Sequence, residues 1–154
     1  MSEGCLSCAI VAGVEAVECG NIAETTHFHA HQDVAYPVPG LVIVASKRHM
    51  TCLDELTRSE VQDLSSLLLR VRRAQREALG IEHVYYFYNE DTSHHFHVWM
   101  VPRYTWMKQF GKSIQSVRPS LLHAREVLNG PDGIMAVREA VESLQIALRK
   151  NDAP

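Results

Sequence analysis

The reactive side chains of this sequence concentrate in Ser93-His94-His95-Phe96-His97-Val98-Trp99-Met100-Val101-Pro102-Arg103. On an extended strand, residues two apart share a face, so His95 and His97 are expected to project together, about 6–7 Å apart along the chain. Phe96, Val98 and Met100 then aim at a core. One half-exposed histidine on a strand is ordinary, whereas two on one face, closed by Pro102-Arg103, point to chemistry. A neutral imidazole offers a nucleophilic lone pair near neutral pH. A second set is Cys5-Leu6-Ser7-Cys8. Such a pair reads either as two metal ligands or as two free thiols.

The stretch around His97 resembles the motif of the histidine triad family, His-φ-His-φ-His-φ-φ with φ apolar, which often runs on into Pro-Arg. Aligned on Pro102-Arg103, His95 is the first histidine, His97 the second, and Trp99 occupies the third position. The resemblance implies that His97 attacks the α-phosphate of a nucleotide, forming a nucleotidyl intermediate that water or another acceptor resolves. Trp99 then lies beside the nucleotide, with an indole N–H that donates and cannot accept.

Many bacterial members of that family hold a structural zinc ion with an N-terminal C-x2-C pair and two histidines. The resemblance therefore assigns Zn2+ to Cys5, Cys8, His49 (in Lys47-Arg48-His49) and His95, with Cys52 as a substitute ligand. A Cys2His2 set closes a tetrahedral site and leaves no open position. Asp33, before Gly40, has the spacing of an acid that contacts the ribose hydroxyls, and equally reads as a solvated loop carboxylate. Asn89 lies in the loop that carries a nucleotide-contacting asparagine. Glu90-Asp91-Thr92 stands where the family has Gly-Gln-Ser/Thr: Thr92 is kept, Asp91 brings a negative charge towards phosphate, and Ser93 offers another hydroxyl. Gly40-Leu41 replaces the usual Gly-His.

These residues need elements to position them. Gly40 to Ala45 reads as a buried strand leaving the Pro37-Val38-Pro39 turn. Thr57-Arg58-Ser59-Glu60 fits a capping box, Val61, Leu64, Leu67, Leu68, Val71 and Leu79 follow helical spacing, and Gly80 supplies the stop. Val84 to Tyr88 and His95 to Val101 read as a hairpin, with Pro102 ending the second strand. Two helical patterns, broken by Asn129-Gly130-Pro131, run from about Pro119 onward. The alternating set His27-Phe28-His29-Ala30-His31 lacks the apolar continuation and the Pro-Arg close, so it is read as an edge strand outside catalysis. The fold class is α+β: a histidine-triad-like antiparallel sheet of about five strands per subunit, a long helix and a helical C-terminal extension. Residues 1–154 are read as a single domain, with a core at about 5–103 and an extension at 104–154, where Trp106, Lys108 and Lys112 are candidates for completing a site or a dimer.

The chain has 154 residues, is 46% hydrophobic and 21% charged, and carries a net charge of -3. That composition belongs to a globular chain and argues against broad binding to a nucleic-acid polymer, where phosphate neutralisation supplies most of the affinity. It leaves room for a nucleotide or dinucleotide ligand in a local pocket. The start has no signal-peptide pattern, and no apolar run reaches the roughly 18 residues of a membrane helix. A cytoplasmic protein without a membrane anchor is expected. The leading function is a hydrolase acting at the α-phosphate of dinucleoside polyphosphates or nucleoside phosphoramidates. The alternatives are a nucleotidyltransferase and a non-catalytic nucleotide-binding module. The resemblance also implies a homodimer, paired through the long helix and a strand into one sheet of ten strands.

Overall fold

The computed structural model describes residues 4–91 and 94–151. Five strands, β1 (Asn21–Glu24), β2 (Phe28–His31), β3 (Val42–Ser46), β4 (Val84–Phe87) and β5 (His97–Pro102), form one sheet in the order β1-β2-β3-β5-β4. Every pairing is antiparallel. The helices are α1 (Leu6–Val11), α2 (Arg58–Leu79), α3 (Ile114–Val127) and α4 (Pro131–Asn151). This is an α+β architecture.

All five residues of β3 are buried, because both faces of the sheet centre are covered. On one face Val42, Val44, Phe28, Ala30 and Met100 pack against Leu67 and Val71 of α2 and Leu144 and Leu148 of α4. On the other, Leu41, Ile43 and Val101 meet Met107 and the α3 residues Val117 and Ala124. The period of two along β3 separates the faces.

The long helix begins and ends where its local chemistry requires. The Glu60 amide donates to Thr57 Oγ1 and the Thr57 amide to Glu60 Oε2, and Gly80 closes the helix with φ 63°. Gly40, at φ +76°, opens the turn into β3, where a Cβ would come within 2.7 Å of Leu79 Cδ1. Gln75 Nε2 donates to the Gly40 carbonyl and ties α2 to this turn.

Three expectations change. The 28–31 segment is not an edge: β2 is flanked by β1 and β3, and β1 takes the edge. His95 precedes β5, which starts at His97, so the two histidines are not alternate positions of one strand. The third helix starts at Ile114 and carries Pro119 inside it. The buried residues Ser116, Val117, Ser120 and Ala124 keep helical spacing through the proline, and packing of that face against the sheet outweighs the lost N–H.

Candidate functional site

Cys5 caps the start of α1 and Cys8 lies within its first turn, so one helical turn brings both sulfurs to the same side. They meet His49, in the turn after β3, and His95, just before β5. Cys5 Sγ lies 3.3 Å from His95 Nδ1, and Cys8 Sγ lies 3.4 Å from His49 Nδ1 and 3.6 Å from His95 Nδ1. The four ligand atoms all fall within 4.8 Å of one another. In a tetrahedral zinc site, sulfur and nitrogen ligands stand about 3.6 Å apart. The donor set and its spacing therefore fit such an ion. Cys52 is outside the cluster.

The neighbours orient the ligands. His95 Nε2 donates to the Ser46 carbonyl at 2.7 Å, which places the ring's lone pair on Nδ1, facing the sulfurs. Burial pushes the His95 pKa down, which keeps the ring neutral for ligation. Arg48, beside His49, donates from Nε and Nη2 to the two Glu60 carboxylate oxygens at 2.9 and 3.1 Å. That fork holds the buried Glu60 carboxyl down at about 2 and pins the His49 turn to the start of α2.

His97 opens the second part of the site. Its Nδ1–H donates to the His95 carbonyl at 2.9 Å, so the ring's lone pair is on Nε2. The ring lies in a cleft of about 700 Å³ whose walls include Asn89, Asp91, Trp99, Tyr36 and, from α3, Arg118. Trp99 meets Tyr36 edge-on at 5.5 Å and the His97 ring at 6.2 Å. The indole thus forms a wall of the cleft.

Of the residues singled out in the sequence, the cleft gathers His97, Trp99 and Asn89, with Asp91 beside them. Asp33 is not among the lining residues; its Oδ1 accepts the Ala35 amide and shapes the turn that presents Tyr36. Thr92 and Ser93 lie outside the described residues. Glu90 is held by Tyr88 Oη and the Leu53 amide. Trp106 packs with Phe110 and His123, and Lys108 and Lys112 line a different cleft.

The comparisons with known proteins agree with this architecture. A zinc-bound histidine triad family protein from Mycobacterium smegmatis superposes with a TM-score of 0.69 at 24% identity, covering 97% of this chain and 96% of that one. A HIT family protein from Bacillus anthracis gives 0.63 at 23%, covering 82% and 95%. A HIT family hydrolase from Legionella pneumophila gives 0.52 at 20%, covering 66% and 95%. The fold is that of the histidine triad proteins. No protein-family model and no curated protein matches the chain. Among the described residues, no helix is long and apolar enough to cross a membrane.

Two features escaped the sequence reading. Arg118 and the apolar face of α3 wall the cleft; the spacing of Ile114, Val117, Leu121 and Leu122 was the available signal. His29 and His31 are buried and stacked, with ring centroids 5.0 Å apart. Their β3 partners are Ala45 and Ile43, whose β5 partners are His97 and Trp99. Both His29 nitrogens and His31 Nδ1 are buried without a hydrogen-bond partner among the described residues. Burial drives both pKa values down to about 4, and the rings stay neutral.

Proposed function

We propose that this chain is a histidine triad family hydrolase that cleaves nucleotides at the α-phosphate through His97. The observation that carries the reading is the His97 tautomer: Nδ1–H is engaged by the His95 carbonyl, and the Nε2 lone pair stands in a ligand-sized cleft. His97 Nε2 attacks the α-phosphorus of a dinucleoside polyphosphate or nucleoside phosphoramidate. The N–P bond forms as the bond to the leaving phosphate or amine breaks, and the leaving group takes up a proton from solvent. The His95 carbonyl stabilises the positive charge that develops on the ring. Water then cleaves the N–P bond, adding hydroxyl to phosphorus and giving its other proton to solvent, which releases the nucleoside monophosphate and restores the neutral imidazole. Asn89, Thr92 and Ser93 bind the nucleotide, with Arg118 available to phosphate and Trp99 beside the base or leaving group. Asp33, outside the cleft lining, would reach the ribose hydroxyls only from the turn before Tyr36.

Zinc held by Cys5, Cys8, His49 and His95 would be structural, cross-linking the N-terminal helix to the sheet. The exposed edge strand β4, with Tyr86 and Phe87 partly uncovered, supports pairing into a homodimer. Sedimentation at micromolar concentration checks it, and a monomer there rejects it.

The deciding experiment mixes the protein with adenosine phosphoramidate, quenches rapidly and analyses the peptides by mass spectrometry. An adenylyl adduct on His97 is the expected result. Binding without adduct or turnover would favour the second reading, a non-catalytic nucleotide-binding module. The lining of the cleft by Asp91 and Trp99 supports that alternative.

A further inference from the structure

The protein carries a net charge of -3, yet one cleft gathers cations. It encloses about 860 Å³ and is lined by Arg72, Arg76, Arg103, Lys108 and Lys112 against a single carboxylate, Glu82. The five cations come from three parts of the chain. Arg72 and Arg76 are one turn apart near the end of α2, Arg103 follows β5, and Lys108 and Lys112 lie in and just after the 3-10 segment Thr105–Phe110. Among the described residues none of the five has a carboxylate within ion-pair distance. Gathering like charges without counter-ions raises the free energy of the protein alone and lowers that of an anion placed among them.

The two central arginines are held in place. Arg103 donates from Nη1 to Ser116 Oγ at 3.0 Å and from Nη2 to the Gly111 carbonyl at 2.8 Å, and its guanidinium lies 5.7 Å from the centroid of the Tyr85 ring. Arg72 donates from Nη2 to the Ile81 and Glu82 carbonyls at 3.0 and 2.8 Å. Its Nη1 is buried and has no hydrogen-bond partner among the described residues. An unpaired buried guanidinium nitrogen carries a desolvation cost that an anionic acceptor would remove.

The cleft is separate from that of His97. Gly111 and Lys112 line this one, Ile114 lines the other, and between them the Ser113 amide donates to Tyr85 Oη at 3.1 Å. Ser113 holds φ 59°, the only positive φ outside glycine among the described residues, so the wall between the clefts is a strained, pinned strap.

We propose that this cleft is a second ligand site, one that binds a chain of phosphate groups. Fixed guanidinium forks match phosphate oxygens, and the volume lies in the range of whole small-molecule sites (roughly 300–1,000 Å³), far more than one phosphate needs. The Tyr85 ring is already faced by Arg103, so the cleft's aromatic ring is not an open platform for bases, and the negative net charge disfavours a long nucleic-acid track.

Titration calorimetry of the full chain with inorganic triphosphate tests the site independently of the His97 reaction. One triphosphate per chain is expected, with affinity falling as salt rises. Arg76→Glu combined with Lys112→Glu changes two exposed side chains that make no hydrogen bond among the described residues, and should weaken binding by at least about tenfold, the equivalent of one charge-assisted hydrogen bond. Lys108→Gln with Lys112→Gln, a milder pair, should weaken it in the same direction if the reversal impairs folding. Adduct formation on His97 should be unaffected. Adenosine triphosphate supplies the second arm: equal affinity means that the phosphate chain alone is read, and tighter binding lost in the same variants means that a nucleoside is carried with it. Unchanged triphosphate affinity in both variants, no binding at 0.15 M salt, or variants that alter only the sedimentation coefficient would each overturn the proposal.

Discussion

Phe96 separates two histidines whose surroundings differ in nearly every respect. The His95 ring is buried, one nitrogen given to the Ser46 carbonyl and the other to the Cys5–Cys8–His49 cluster. The His97 ring is half-buried in an open cleft, with one nitrogen given to the His95 carbonyl and the other bearing a lone pair. The first arrangement is closed and suits a cross-link; the second faces a cleft with room for a ligand, which is what the proposed attack by His97 on phosphorus needs. They are linked through the backbone, because the carbonyl that sets the His97 tautomer belongs to the residue whose ring the cluster holds. Two histidines separated by one residue thus stand in opposite surroundings, one ring enclosed and the other facing an open cleft, because different elements pack around each.

The sharpest way to test the comparison is to break each side alone. His97→Ala should lower phosphoramidate turnover by at least about 10³-fold, leaving zinc content and melting temperature unchanged, as read by elemental analysis and calorimetry. Cys8→Ser should do the reverse. Loss of stoichiometric zinc should cost about 4 kcal/mol of stability, the linkage value for a metal present at a thousand times its dissociation constant. Activity should fall only as the fold does. If His97→Ala lost zinc, or Cys8→Ser kept it, the division of labour would collapse.

A smaller effect should come from His29 and His31, which lack the partners that His95 has. In an unfolded chain they protonate near 6.5, in the folded one only near 4. The unfolded state therefore binds more protons between those values, and stability should fall as pH drops from about 6.5 to 4. His29→Leu with His31→Phe should flatten that dependence and add about 1–3 kcal/mol at pH 5, because orphaned polar atoms are removed. Denaturant melts across that pH range read it, and an unchanged slope would contradict the assignment. The smallest change is expected for Trp99→His. A third triad imidazole should speed phosphoramidate hydrolysis about tenfold, below the 10²–10⁴ of a fully positioned acid, because Tyr36 packs against indole and would leave the new ring loosely held. A slower variant that still folds would mean that the indole itself shapes the productive cleft.

The features legible in the sequence alone are those written locally. The ends of α2 follow from Thr57, Glu60 and Gly80, whose capping chemistry acts within one turn. The burial of β3 follows from its β-branched run. The roles expected of Cys5, Cys8, His49, His95 and His97 came from a motif resemblance, because residues up to 90 positions apart carry no local signal that they meet. Tertiary structure alone decided the rest. It turned the His27–His31 segment from an edge into an inner strand, since strand order depends on which partners cover each face. It swung α3 over the sheet to supply Arg118 to the cleft, and it drew five cations from three parts of the chain to one place. Charge and hydrogen bonding act over a few ångströms of space, whatever the separation along the chain. Local pattern therefore specifies the elements, and only their packing specifies which side chains share a cleft.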